Sequence, residues 1–334
     1  MPDKPDNEPA SSAPDTAGSA VPSRTRRWVV IIVLAVAYLL PFPYQPDIQN
    51  PNENVRLFMT AAIAEHGTYA IDKIRDRWGW VNDAAIYKGK VYSVKAPGTS
   101  LLGVPAYAAW YHLAKPATAT DDSDAGLDDE GKADAGLEDD DKHKKDAKAV
   151  KWEPNRAVAT WICRIFGNAL PMLVFFWFLY PWLGRRTSSA VIRDAVFWSL
   201  ALGSCLYAYA LIFVSHAVAG ACGFGALMLL ARARPQPGES ALGASGVFMA
   251  GFLAASVTAF EYPGFPISVL LCMYGAVTVG SWQRLLLLCA GALIPVIFVM
   301  QFHDAAFGNP WTPGHLHMED PNFRAVHHHG FFGA

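Results

Sequence analysis

The stretch GTSLLGVPAYAAWYHLA, residues 98 to 114, decides how many times this chain crosses a membrane. It sits at the lower limit of about 17 residues for a spanning helix and carries Pro105 and His112, so its apolar periodicity leaves the question open. The arginines on either side of it answer. If 98 to 114 does not cross, Arg185, Arg186 and Arg193, then Arg232 and Arg234, then Arg284 fall on the same side as Arg24, Arg26 and Arg27. If it crosses, all of the later arginines move to the opposite face. Short basic loops stay in the cytoplasm, and long loops such as 45 to 156 are exempt from that rule. The first arrangement is therefore expected, with 98 to 114 a juxtamembrane helix.

Outward from that segment, the chain reads as membrane protein throughout. Of 334 residues, 52% are hydrophobic and only 17% charged, against about a quarter charged in an ordinary soluble domain. Arg24, Arg26 and Arg27 precede the run WVVIIVLAVAYLLPFPY, residues 28 to 44. It has the charged and apolar regions of a signal peptide but is followed by PFPYQPD, without a small-residue cleavage site, and is expected to be an uncleaved first span. Further runs of spanning length occupy 157 to 183, 195 to 213, 215 to 231, 241 to 260, 264 to 280 and 285 to 302. The expected fold is all-α and polytopic, with about seven transmembrane helices and a long extracytoplasmic first loop, 45 to 156, carrying juxtamembrane helices.

Residues 1 to 23 have the Pro, Ala, Ser and Asp content of a disordered cytoplasmic tail, and 115 to 155 form an acidic low-complexity insertion. A net charge of -2 disfavours nucleic acid as a partner. The five cysteines all lie in apolar runs without paired spacing, so neither a disulfide framework nor a zinc site is expected. No Walker loop, dinucleotide fingerprint or nucleophile elbow stands in a suitable context.

This topology gathers the polar motifs outside. Asn50-Pro51-Asn52-Glu53 opens the helical run NVRLFMTAAIAEH, read as an amphipathic helix in the membrane interface. Glu53 carries two readings: the third position of a capping box begun by Asn50, and a general base at the membrane surface. IYKGKVYSV, residues 86 to 94, alternates around Lys88-Gly89 as a small hairpin and delivers Lys95 into Ala96-Pro97-Gly98. A lysine at headgroup level could hold a phosphate or simply contact lipid. His216 and Glu261 each end an apolar run on the outer side. His303, Asp304, His315, His317, Glu319 and His327 to His329 follow the last span, in a spacing that matches no zinc motif.

Taken in order, PNENVRLFMTAAIAEHGTYAID, YKGKVYSVKAPGTSLLGVPAY, FVSHAVAG, TAFEYPGFP, FGNPWTPGHLHMEDPNF and HGFFG resemble bacterial membrane proteins of the GT-C glycosyltransferase superfamily. The likeness is to the family 39 type, which includes protein O-mannosyltransferases and the aminoarabinose transferase of lipid A, and it covers most of 28 to 334. The resemblance implies transfer of a sugar from a polyprenyl-phosphate carrier to a protein, lipid or glycan acceptor at the outer face of the bacterial inner membrane. It puts Glu53, or the earlier Asp47, in the place of the acidic base, with Asn52 where the family has a first acid. It matches the family's juxtamembrane Lys-Pro motif to Lys95, with Val94 where an acid often stands. Arg56, Lys95, His216, Glu261, Tyr262, His303 and His315 are the expected substrate-binding residues. It fixes no cofactor and leaves a divalent metal open; no nucleotide pocket is needed. The segment from 303, without a final span, is expected to be an incomplete lid of a shortened member, or to be anchored by Trp311, Phe323, Phe331 and Phe332. Two other classes compete with the enzyme: a transporter or flippase, against which stands the placement of charge at span ends with Arg164 as exception, and an inactive scaffold of the same fold.

Overall fold

A computed structural model describes residues 20 to 40, 50 to 116, 152 to 234 and 240 to 328. Asp47, most of the acidic insertion and the last six residues lie outside these, as do residues 1 to 19. The described chain is mostly helical, with one small hairpin.

Helix α1 (Arg24–Leu39) starts on Ser23, whose side chain accepts from the Arg26 N–H. After it come α2 (Pro51–His66), α3 (Asp72–Trp78), the strands β1 (Ala84–Tyr87) and β2 (Lys90–Ser93), and α4 (Gly98–Ala114). Strands β1 and β2 pair antiparallel, Tyr87 opposite Lys90, around a two-residue turn at Lys88 and Gly89. Both turn residues have positive φ, 48° and 77°, as a tight turn matching strand twist requires. The expected hairpin is present.

A 31-residue helix then runs from Arg156 to Arg186. It comprises α5 (Arg156–Arg164), a π-helical turn at Ile165–Ala169 and α6 (Leu170–Arg186). Helices α7 (Ala190–Ala201) and α8 (Cys205–Leu211) form a pair bent by 48°. After them come α9 (His216–Leu230), α10 (Ala244–Phe260), α11 (Phe265–Thr278), the 26-residue α12 (Trp282–Phe307) and α13 (Pro321–His328).

Among the described residues, three helices are long and apolar enough to cross a membrane: Arg156–Arg186, His216–Ala233 and Trp282–Phe307. The bent α7–α8 pair makes up to four. Several candidate spans in one chain point to a multi-pass membrane protein, but a count of seven is not reached. Length is the reason: α1 has 16 residues and α10 has 17, about 24 to 26 Å at 1.5 Å per residue, against a hydrocarbon core of about 30 Å.

The bundle has two chemically distinct ends. At one, Arg26 and Arg193 converge on Asp194, Arg232 reaches Ser240, Arg234 reaches the Val277 carbonyl and Arg284 the Leu242 carbonyl. At the other lie α2, Ser215, Glu261 and His303. Loops far apart in sequence thus meet by chemical type. Inside the bundle, α10 and α12 cross at Gly251 and Gly291. A Cβ on Gly251 would stand 1.9 Å from the Leu288 carbonyl oxygen, and one on Gly291 2.0 Å from that of Phe248, so only glycine permits this approach.

One expectation for the α2–α4 segment is corrected. Helix α2 is not an interfacial helix with one apolar face. Val55, Leu57, Phe58, Met59, Ala61 and Ala62 are all fully buried, on every side of the helix. Its neighbours explain this: α3, β2, α4, α5 and the end of α12 pack around it into one core. Helix α4 lies alongside α2 and is tied to it where Thr60 donates to the Ser100 carbonyl and Tyr107 donates to Glu65 at 2.5 Å.

Candidate functional site

The site begins at the start of α2. Asn50 is the N-cap, its side chain accepting from the Asn52 N–H at 2.9 Å, and Pro51 occupies the first turn. Glu53 does not complete a capping box. Its carboxylate turns inward and accepts two bonds from Arg164, Nε to Oε1 at 2.6 Å and Nη2 to Oε2 at 2.8 Å. Both side chains are buried, 1% and 0% exposed. Oε1 also accepts the Phe213 backbone N–H at 2.7 Å.

That third bond has a structural logic. Residues 212 to 215 are the unwound break between α8 and α9, and a break inside an apolar bundle leaves backbone groups that water cannot satisfy. Glu53 takes the Phe213 N–H, while Asn168 in the π-helical turn donates to the Tyr209 and Val214 carbonyls at 3.2 and 2.7 Å. The Phe213 ring fills the space that Gly103 and Gly167 leave empty; a Cβ on Gly167 would lie 2.3 Å from it. Arg164, the charge that stands out within an apolar run, is thereby a partner of Glu53.

One helical turn on, Arg56 is wholly buried. Its Nη2 donates to Ser215 Oγ at 2.7 Å and lies 3.7 Å from Glu261 Oε2, and its Nη1 donates to the Asn52 carbonyl at 3.2 Å. Burial pulls this guanidinium down to about 10, with Glu261 and Asp83 opposing the fall, so it stays charged at neutral pH. Ser215 also donates to Glu261, and His216 Nδ1 stands 3.1 Å from the same carboxylate oxygen. Burial would raise the Glu261 carboxyl, but the bonds from His216 and Ser215 and the Arg56 charge outweigh it and hold it below the ordinary carboxylate value. Glu261 is 24% exposed and His216 39%, so this pair faces outward where Glu53 does not.

Lys95 is paired with Asp83 at 3.1 Å, each about a quarter exposed. Asp83 stands on a positive φ of 61° just before β1. Tyr262 OH and His303 Nε2 are 2.7 Å apart, and His303 Nδ1 is 3.1 Å from the Pro310 carbonyl. A carbonyl only accepts, so Nδ1 carries a proton and the neutral ring accepts from Tyr262 at Nε2.

Beyond α12, the chain packs on the hairpin. Met318 bridges to Ala85, Glu319 N–H donates to the Ala84 carbonyl at 2.9 Å, Arg75 binds Glu319 at 3.0 Å and His317 stacks on Phe307. His315 lies in the 3-10 turn Gly314–His317 of this stretch. These bonds hold the stretch against the hairpin, and Trp311 and Phe323 are left exposed, at 77% and 52%.

Next to the His216–Glu261 pair opens a groove of about 490 Å³ between α9 and α11, floored by Val257 of α10. Below that polar mouth its walls are apolar: Ala219, Gly223, Leu227, Ile267 and Leu271. Sequence reading singled out His216, Glu261 and Lys95 but not the groove, nor Ser215 as the partner of Glu261 and Asp83 as that of Lys95. Ser and Asp in a loop carry no signal of their own until the fold brings a cation to them.

Among the described residues no group of three or more His, Cys, Asp or Glu side chains is placed to hold a metal ion. Comparison of the chain with family profiles, with curated proteins and with solved structures gave no match in any of them.

Proposed function

We propose that this chain is a membrane glycosyltransferase that takes a sugar from a polyprenyl-phosphate carrier and passes it to a protein, lipid or glycan acceptor at the outer face of a bacterial inner membrane. The observation that carries the reading is the groove: an open, apolar channel between helices, headed by an ionisable pair with a buried arginine behind it. A polyprenyl phosphate has the same division, an apolar tail under a charged head. The resemblance of the quoted motifs to GT-C enzymes supports the same class.

In this proposal the seven spans are α1, the α5–α6 helix, the α7–α8 pair, α9, α10, α11 and α12. The shorter ones are accommodated by local thinning of the bilayer. The amino end is cytoplasmic, and α2 to α4 lie outside without crossing. The acceptor hydroxyl attacks the anomeric carbon, a carboxylate takes its proton, and the carbon–oxygen bond to polyprenyl phosphate breaks, leaving the phosphate with the electron pair. Glu261, partly exposed at the groove mouth beside His216, is the base. Glu53 is a positioning residue, since its carboxylate is fully engaged by Arg164 and Phe213. Arg56 and Lys95 supply positive charge for the departing phosphate.

Purified protein in detergent, offered a panel of polyprenyl-phosphate sugars, is expected to release polyprenyl phosphate. Glu261→Gln should lower the rate by about 10² or more, and Ile267→Trp, which fills the groove, should raise the KM for donor. Absence of release from every donor would overturn the enzyme reading. A second reading has an observation in its favour: Glu53, Glu261 and Asp83 each already face a cation, as in a site that binds lipid without reacting. Donor binding without release identifies that inactive scaffold.

A further inference from the structure

At the arginine-rich end, the arginines are not treated alike. Arg26 donates to Tyr180 at 3.1 Å and pairs with Asp194, and Arg193 shares the same carboxylate at 2.8 Å. Asp194 is the sole carboxylate at this end among the described residues. Arg27, one position from Arg26, meets α6 three residues earlier, at Trp177 rather than Tyr180. Its guanidinium lies 3.7 Å from the centroid of the Trp177 ring on α6, and its Nε donates to the Trp177 carbonyl at 2.9 Å. Trp28 packs on Trp177 from α1, with ring centroids 4.5 Å apart. No carboxylate among the described residues pairs with Arg27, and Arg185 is near enough for its charge to be felt there.

A guanidinium clamped by its Nε and one face still presents its outer N–H groups as a fork, the geometry that matches two oxygens of a phosphate. Next to it the surface is apolar and uncovered. Trp28 is 48% exposed and Ile32 58% on α1, with Val174 at 59% and Phe178 at 57% on α6. A soluble anion would use the fork and leave those side chains in water. A phospholipid uses both, its headgroup phosphate on Arg27 and its acyl chains along α1 and α6.

We infer that the notch between α1 and α6 at the arginine-rich end binds an anionic phospholipid, with Arg27 holding the phosphate, Arg24 and Arg185 adding positive field, and Trp28 and Phe178 flanking the chains. The inference rests on the multi-pass membrane reading but is independent of the glycosyltransferase proposal, because the notch is at the opposite end from the groove.

The full chain is reconstituted in phosphatidylcholine nanodiscs with and without phosphatidylglycerol, and the lipids retained after release are counted by native mass spectrometry. Phosphatidylglycerol should be retained in preference to phosphatidylcholine. Arg27→Gln should weaken that retention about fivefold, the equivalent of about 1 kcal/mol per basic residue at a membrane surface. Arg27→Lys, which keeps the charge but loses the fork, should fall between. Arg284→Gln, at the same end but bonded to the Leu242 carbonyl, should leave retention unchanged. Equal losses in the Arg27 and Arg284 variants, or no preference for phosphatidylglycerol, would overturn the site. Displacement by millimolar inorganic phosphate would overturn the lipid as its occupant. Release of the protein from membranes by alkaline carbonate would instead overturn the membrane reading, and this inference with it, while leaving protein resistant to carbonate but indifferent to phosphatidylglycerol as the outcome that defeats the inference alone.

Discussion

Glu53 is the residue on which sequence and structure differ most, and its replacement tests the difference. If it only capped α2, its loss would cost about 0.5 to 2 kcal/mol. The structure predicts more. Contacts of 2.6 and 2.8 Å put the two charge centres about 4 Å apart, where the attraction is about 4 kcal/mol at an effective dielectric of about 20. Removing one partner of such a pair costs about 3 to 5 kcal/mol, because the other charge stays buried. Glu53→Gln retains an oxygen for the Phe213 N–H and should cost about 4 kcal/mol; Glu53→Ala also orphans that N–H, adding about 1 to 3 kcal/mol. Arg164→Met should cost a similar amount to Glu53→Gln. The double variant should be far less damaged than the sum of the two, with an interaction energy of about 2 to 3 kcal/mol. The assay is denaturant titration in mixed micelles, followed by tryptophan fluorescence, for wild type, both single variants and the double. Single variants each within about 1 kcal/mol of wild type, or strictly additive effects, would refute the buried pair as the anchor of the site.

Three further outcomes are expected. Gly251→Ala or Gly291→Ala should separate α10 from α12, since each new Cβ meets a backbone carbonyl near 2 Å, and lower stability by about 1 to 3 kcal/mol or more in the same titration; unchanged stability would mean that the helices do not cross there. The folded-state value of Glu261 lies below its unfolded one, so its contribution is present above the ordinary carboxylate range and is lost as pH falls through the lowered value. Wild type should therefore lose melting temperature more steeply than Glu261→Gln below about pH 4, and parallel curves would contradict the pairing. Single cysteines at Ser123 and Ser188 should label from outside and only after permeabilisation, respectively; labelling of position 188 in intact cells would reverse the proposed sidedness.

Much of the site's position, though not its wiring, was legible in the sequence. His216 and Glu261 stood out because an ionisable group at the end of an apolar run is costly, and Lys95 because the hairpin delivers it to headgroup level; the structure joins His216 and Glu261 directly and sets Arg56 beside them. Tyr262 and His303 were singled out separately and prove to share a hydrogen bond. The amphipathic reading of α2 failed for a physical reason: its run holds enough polar residues to suggest a wet face, but Glu53, Arg56 and Thr60 each have a buried partner.

The sequence by itself determined what depends on a few neighbouring residues. Apolar runs specify helices, Asn50-Pro51 starts α2, Lys88-Gly89 turns the hairpin, and the arginine breaks divide the loops into two sets. These are properties of local backbone energetics and of charge against lipid, and they act over a turn or a span. Only the tertiary structure decided that Glu53 belongs to Arg164, 111 residues away, that Asp83 belongs to Lys95, and that α9 and α11 leave a groove between them. A buried charge must find a counter-charge, but any opposite charge of sufficient reach satisfies that demand, and which one is available is set by the packing of helices whose contacts leave no periodic trace in the chain.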